Sequence, residues 1–120
     1  MTKHRLLLVE DDEFIGPLVK ELLCVAGYDV VLTRDLSDTM LLENFAFSAV
    51  IADYRLKYSD GCQVINFLRS KIPDIPALLM SGYGQRVSDC CDARGIQDVG
   101  FLAKPFTIAE LSEKIESALS

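Results

Sequence analysis

Three short apolar runs, Arg5–Val9, Ala49–Ala52 and Ala77–Met80, constrain the fold of this chain more than any other feature. A strand with one wet face alternates apolar and polar residues. Runs without alternation suit strands covered on both faces, as in a parallel sheet. Two weaker runs, Asp29–Thr33 and Val99–Ala103, complete a set of five.

Helical patterns lie between the runs. Ile15, Leu18, Val19, Leu22 and Cys24–Ala26 make an apolar stripe that Gly27 closes as a C-terminal cap. Pro17 falls early in that helix and costs least within its first turn; otherwise the helix starts late or bends there. Leu36, Met40, Leu41 and Phe45 form a second stripe. Asp60 opens a third helix with Gln63 placed for a capping box, and Val64, Ile65 and Leu68 face inward. Thr107 and Glu110 repeat that device before Leu111, Ile115 and Leu119. The weakest helical pattern, near Gln85–Arg94, offers Val87, Cys90, Cys91 and Ala93 as inner positions. Strand followed by helix, five times over, implies an α/β fold: a doubly wound parallel sheet with helices on both faces.

With 120 residues the chain fits one domain, 1–120, with no linker, repeat or low-complexity tract. Half of its residues are hydrophobic, which argues against disorder. Eighteen acidic against 12 basic residues give a net charge of −6, which argues against direct nucleic-acid contact. No apolar run approaches the ~18 residues of a membrane span. The basic start, Lys3-His4-Arg5, is followed by too short an apolar run for a signal peptide, because Glu10-Asp11-Asp12-Glu13 interrupts it. A soluble cytoplasmic domain without membrane insertion is expected. Cys24, Cys62, Cys90 and Cys91 include no C-x-x-C pair and have a single His for company, so reduced thiols in or near the core are expected in place of a zinc site.

In a doubly wound sheet, ligands bind beyond the strand C-termini. After the first run come Glu10, Asp11, Asp12 and Glu13; after the third, Asp53; after the fourth, Ser81; after the fifth, Lys104 and Pro105. Asp12 and Glu13 suit cap or solvated roles. Glu10, Asp11 and Asp53 on one edge would repel, at about 4 kcal/mol for a pair 4 Å apart with an effective dielectric of 20. Lys104 offsets one charge and a hard divalent cation would offset two. An all-oxygen set suits Mg²⁺, with Mn²⁺ able to take its place, and fits zinc or copper poorly. A cation, a lysine and a hydroxyl suit a phosphoryl group, and a carboxylate can be its acceptor. Asp53, alone at the end of the middle strand, is the choice.

The segments LLLVEDDEF (6–14), VIADYRL…DG (50–61), LLMSGYG (78–84) and FLAKPF (101–106) resemble, in order and spacing, the receiver domain of two-component response regulators over essentially the whole chain. The resemblance implies a five-stranded sheet in the order 2-1-3-4-5 with five helices, a flavodoxin- or CheY-like arrangement. It implies that Asp53 accepts a phosphoryl group from a histidine kinase or phosphotransfer domain. Asp11 would ligate Mg²⁺ directly, Glu10 through water, and the Arg55 carbonyl would join Asp53 as a further protein ligand. Ser81 matches the hydroxyl that bonds the phosphoryl group, Lys104 its ion-pair partner, and Phe101 an aromatic switch residue. Lys104-Pro105 matches a peptide that is cis in many such domains. Such a domain is not an enzyme in the usual sense, although it catalyses its own phosphorylation and slow dephosphorylation. It would signal to a downstream effector through its fourth helix, fifth strand and fifth helix, and a weak homodimer is allowed.

The sequence departs from the family at Lys57, where proline is common, and Tyr54, Arg55 and Tyr83 fill variable positions around the site. The alternative is a phosphorylation-independent interaction module on the same fold; loss of the Asp, hydroxyl or Lys would favour it, and all three are present. A haloacid-dehalogenase-type hydrolase needs a second Asp where Arg55 stands, and no Walker-type phosphate loop occurs.

Overall fold

Strands β1 (Arg5–Val9), β2 (Asp29–Thr33), β3 (Ala49–Asp53), β4 (Ala77–Ser81) and β5 (Val99–Ala103) alternate with helices α1 (Ile15–Val25), α2 (Leu36–Met40), α3 (Gly61–Lys71), α4 (Gln85–Ala93) and α5 (Ile108–Leu119) in the computed structural model. It describes residues 3–82 and 85–120, without the side chains of Gln85 and Arg86; Tyr83 lies outside the described residues. The strands are all parallel and stand in the order β2-β1-β3-β4-β5, as expected.

Alternation along the strands sends residues to two cores. Leu7, Val9, Val50, Ala52, Ala77 and Leu79 meet Val64, Ile65 and Leu68 of α3 and Val87 and Cys91 of α4. Leu6, Leu8, Ala49, Ile51, Leu78, Met80 and Leu102 meet Val19 and Leu23 of α1 and Leu111 and Ile115 of α5. Each buried aliphatic side chain stabilises the fold by roughly 1.5–3 kcal/mol relative to exposure. This explains why β1, β3 and β4 read as unbroken apolar runs: both of their faces are dry.

Three helical stripes are corrected. On α1 the buried positions are Gly16, Val19 and Leu23, while Ile15, Leu18 (55% exposed), Leu22 and Cys24 are exposed. The stripe was too wide for periodicity to separate the sheet-facing row from the row beside it. That second row borders an open apolar groove shared with Pro105, Phe106 and Ile108. α2 ends after Met40, and Leu41 beyond it is 80% exposed. The chain leaves the helix too early for its stripe to persist. Thr39 faces inward instead, its hydroxyl 2.9 Å from that of Thr33, and Leu42, Phe45 and Phe47 pack from the segment that follows. On α4, Val87 and Cys91 are buried, Cys90 is half-buried and Ala93 is exposed.

The helix ends follow local chemistry. Asp60 and Gln63 form the expected capping box on α3, as do Thr107 and Glu110 on α5. Pro17 falls in the first turn of α1, where its missing N–H removes no helical bond. Gly27 follows α1 with φ of 104°.

Candidate functional site

β3 and β4 each run one residue further than the apolar runs, so Asp53 and Ser81 are the last residues of their strands. Glu10 directly follows β1, where its amide donates to the Thr33 carbonyl at 3.0 Å. Lys104 directly follows β5, and its amide donates to the Ser81 carbonyl at 3.0 Å. The Lys104–Pro105 peptide is cis. The parallel register therefore delivers a carboxylate, a second carboxylate, a hydroxyl residue and an ammonium to one end of neighbouring strands.

The side chains converge as well. The Lys104 ammonium lies 3.2 Å from Glu10 Oε2 and 3.2 Å from Asp53 Oδ2. Glu10, Asp11 and Asp53 each present a carboxylate oxygen within 4.8 Å of one another. Glu10 is 2% exposed, Asp53 8% and Ser81 5%, so these polar groups belong to the interior edge of the core. Burial raises the Glu10 carboxyl above its ordinary value, the Asp53 charge raises it further, and Lys104 opposes both. Burial likewise raises Asp53 against the pull of Lys104. Burial alone would lower the Lys104 ammonium, but the charges of Asp53 and Glu10 outweigh it and raise the group.

Three carboxylates facing one ammonium leave a surplus of negative charge in a half-dry place. Like charges 4.8 Å apart repel by about 3 kcal/mol at an effective dielectric of 20. The donor set is oxygen throughout, which fits a small hard divalent cation and gives soft metals nothing to bind.

The neighbouring acids do other work. Asp12 Oδ1 accepts from the amides of Phe14 (2.8 Å) and Ile15 (2.9 Å), and those bonds lower its carboxyl. Glu13 is exposed and lies 3.5 Å from Arg34. Both are structural or solvated, as the sequence suggests. Arg55 is exposed, and its backbone bridges to Asp60. Phe101 is half-buried on β5 and packs on the α3–α4 side of the sheet.

A supporting layer was not visible in the sequence. Arg94 donates to both Asp60 oxygens, at 3.0 and 2.9 Å, and so ties the end of α4 to the start of α3. Gly61 donates its amide to the Tyr54 carbonyl at 2.9 Å, directly after β3. The Asp-Gly pair was the available signal for Gly61; nothing local marks Arg94, 34 residues away from its partner.

No helix among the described residues is long and apolar enough to cross a membrane. Residues 6–116 match the response regulator receiver domain. The chain is 30% identical over 119 residues to the transcriptional regulatory protein FixJ of Bradyrhizobium diazoefficiens, covering 98% of this chain and 58% of that protein. It is 30% identical over 112 residues to the response regulator protein FleR of Pseudomonas aeruginosa, covering 92% of this chain and 24% of the relative. The chain thus spans well under two-thirds of these curated relatives. The non-phosphorylated HemR receiver domain from Leptospira biflexa superposes with a TM-score of 0.83 at 31% identity, covering 98% of this chain and 95% of that one. The parallel sheet, the carboxylates and lysine at its C-terminal edge and this match over nearly the whole length agree: the chain belongs to the response regulator receiver domain family.

Proposed function

We propose that this chain is a phosphoacceptor switch in which Asp53 takes a phosphoryl group from the phosphohistidine of a kinase or phosphotransfer domain. The observation that carries the reading is the Lys104 ammonium, 3.2 Å from both Glu10 and Asp53, beside a third carboxylate at the same strand edge. Asp11, Asp53 and Glu10, with the Arg55 carbonyl, would hold Mg²⁺ or Mn²⁺. Such a cation would offset the carboxylate surplus and the charge of the phosphoryl oxygens.

A carboxylate oxygen of Asp53 attacks phosphorus; the O–P bond forms as the P–N bond to the donor imidazole breaks, and the nitrogen keeps the electron pair. Lys104 pairs with a phosphoryl oxygen, exchanging part of its contact with Asp53 for the new charge. The Ser81 hydroxyl, one strand over, donates to another. Water hydrolyses the acyl phosphate slowly. The same groups therefore serve self-phosphorylation and self-dephosphorylation, with Asp53, Ser81 and Lys104 as the reacting set.

The span 1–120 acts as one receiver unit in the cytoplasm. The exposed groove of Ile15, Leu18, Leu22 and Phe106 borders Lys104 and offers a phosphodonor partner an apolar seat beside the pocket. The output is a change on α4, β5 and α5, read by a downstream effector or by a weak homodimer. With a net charge of −6 the unit makes no direct nucleic-acid contact.

Acetyl phosphate with Mg²⁺ should add one base-labile phosphoryl mass to the protein, and Asp53→Asn should abolish it. Undiminished labelling of Asp53→Asn would reject the acceptor assignment. Failure of the unaltered protein to label would support a phosphorylation-independent interaction module instead.

A further inference from the structure

The two buried cysteines meet across a helix–helix boundary. Cys62, in the first turn of α3, and Cys91, in the last turn of α4, bring their sulfurs to 3.0 Å. Both are buried: 0% and 1% exposed. That separation exceeds a disulfide bond by about 1 Å. Cys24 is exposed on α1, across the sheet, and Cys90 is half-buried.

We propose that Cys62 and Cys91 form a redox modification site, which a hydroperoxide converts to a disulfide that fastens α4 to α3. The Cys91 sulfur, as thiolate, attacks one peroxide oxygen. The O–O bond breaks, Cys91 becomes a sulfenic acid, and the other oxygen leaves with the thiol proton as water. The Cys62 sulfur then attacks the Cys91 sulfur. The S–S bond forms, the S–O bond breaks, and hydroxide takes the Cys62 proton to leave as a second water. Two thiols and one hydrogen peroxide thus give one disulfide and two waters.

The order of the two steps follows from their surroundings. Burial pushes the Cys62 thiol up to about 12, and its contact with Cys91 adds to this. Burial also raises Cys91, but there the hydrogen bond from Cys62 and the charge of Arg94 oppose it. Cys91, where those opposing influences rank next after burial, is taken as the first to ionise. Burial makes the reaction slow and confines it to small oxidants. In a reducing compartment the bond would be reversible and would report oxidant exposure.

The consequence for signalling rests on the phosphoacceptor reading above. Among its described side chains α4 buries only Val87 and Cys91, and the Arg94–Asp60 pair adds a partly exposed tie. A covalent bond at Cys91 would pin the helix that has to shift for output.

The test uses the full chain. Hydrogen peroxide treatment, denaturation, alkylation with iodoacetamide and peptide mapping should show a Cys62–Cys91 cross-link, with Cys24 still alkylated. The intact mass should fall by two hydrogens, and Cys90→Ala should still form the cross-link. Alkylation of Cys62 and Cys91 at full yield, a cross-link through Cys90 or Cys24, or Cys91 sulfinic acid without a cross-link would each overturn the site. For the signalling consequence, reduced and oxidised protein receive Mg²⁺ and beryllofluoride, and amide shifts are compared. The oxidised form should lose most of the shift changes on α4 while fluorine NMR still shows the mimic bound. Equal changes in both forms would overturn the clamp. Failure of the reduced protein to bind the mimic would instead reject the acceptor reading and the clamp, leaving the disulfide to stand or fall on the mass result.

Discussion

Gly61 lies so close to Asp53 that a β-carbon there would stand 2.7 Å from the Asp53 carbonyl oxygen. No real side chain tolerates that approach to backbone, so Gly61→Ala must displace the end of β3 or the start of α3. Overpacking of this kind costs about 1–3 kcal/mol. The variant should melt lower and accept phosphoryl groups more slowly. Gly82→Ala, where nothing stands within 4 Å, should change the melting temperature little. Equal effects of the two would mean that the contact at Asp53 does not matter.

The raised carboxyls of Glu10 and Asp53 make stability depend on pH. A group whose folded value is raised binds its proton more tightly in the folded state. Its contribution to stability is therefore complete below the unfolded values, 4.5 for Glu10 and 3.8 for Asp53, and is lost as pH rises through the raised folded values. At neutral pH without metal both ionised groups oppose folding. Asp53→Asn removes one of them, and should raise the melting temperature at pH 7 by about 4 °C for each ~1 kcal/mol relieved. The gain should shrink at pH 5. Melting curves at both pH values check this, and a gain that grows at low pH would reverse the sign of the argument.

Asp11 and Asp12 are neighbours with different duties. Asp11→Asn should weaken Mg²⁺ binding at least tenfold, because it removes one charge from the cluster of three carboxylates. Asp12→Asn should leave it nearly unchanged, since the Asp12 side chain accepts from Phe14 and Ile15. Asp12→Ala should lower thermal stability while sparing metal affinity. Calorimetric titration with Mg²⁺ distinguishes them, and equal losses in affinity for Asp11→Asn and Asp12→Asn would show the cluster to be misassigned.

Output should depend on Ser81 and Phe101. With beryllofluoride and Mg²⁺, Ser81→Ala and Phe101→Ala should still bind the mimic at Asp53 yet lose most amide shift changes on α4. Full-sized changes on α4 in Ser81→Ala would route the signal elsewhere.

The alternation of runs was legible because β1, β3 and β4 are dry on both faces, a condition that leaves no polar residue inside the strand. The capping boxes of Asp60 and Thr107 were legible because both partners lie within one turn. Legible for the same local reason were Glu10, Asp53, Ser81 and Lys104, each at a strand end. What periodicity could not supply was the rotation of α1 about its axis, where Leu18 and Leu22 are as apolar as Val19 and Leu23. Nor could it show that α2 stops after Met40. The Arg94–Asp60 and Cys62–Cys91 contacts join residues 34 and 29 positions apart, and only the folded packing of α3 on α4 creates them.

Lys104 answers a carboxylate 94 residues earlier in the chain. During synthesis Glu10 and Asp53 emerge long before Lys104, whose ammonium stands between them in the folded protein. A chain released up to β4 would carry Asp53 but not Lys104, and its sheet would lack an edge strand. The Lys104 ion pairs and completion of the sheet thus arrive together with the last strand. On the proposed reading, chemistry at Asp53 therefore waits for the last strand, and a chain cut short before β5 lacks the ammonium that pairs with Asp53.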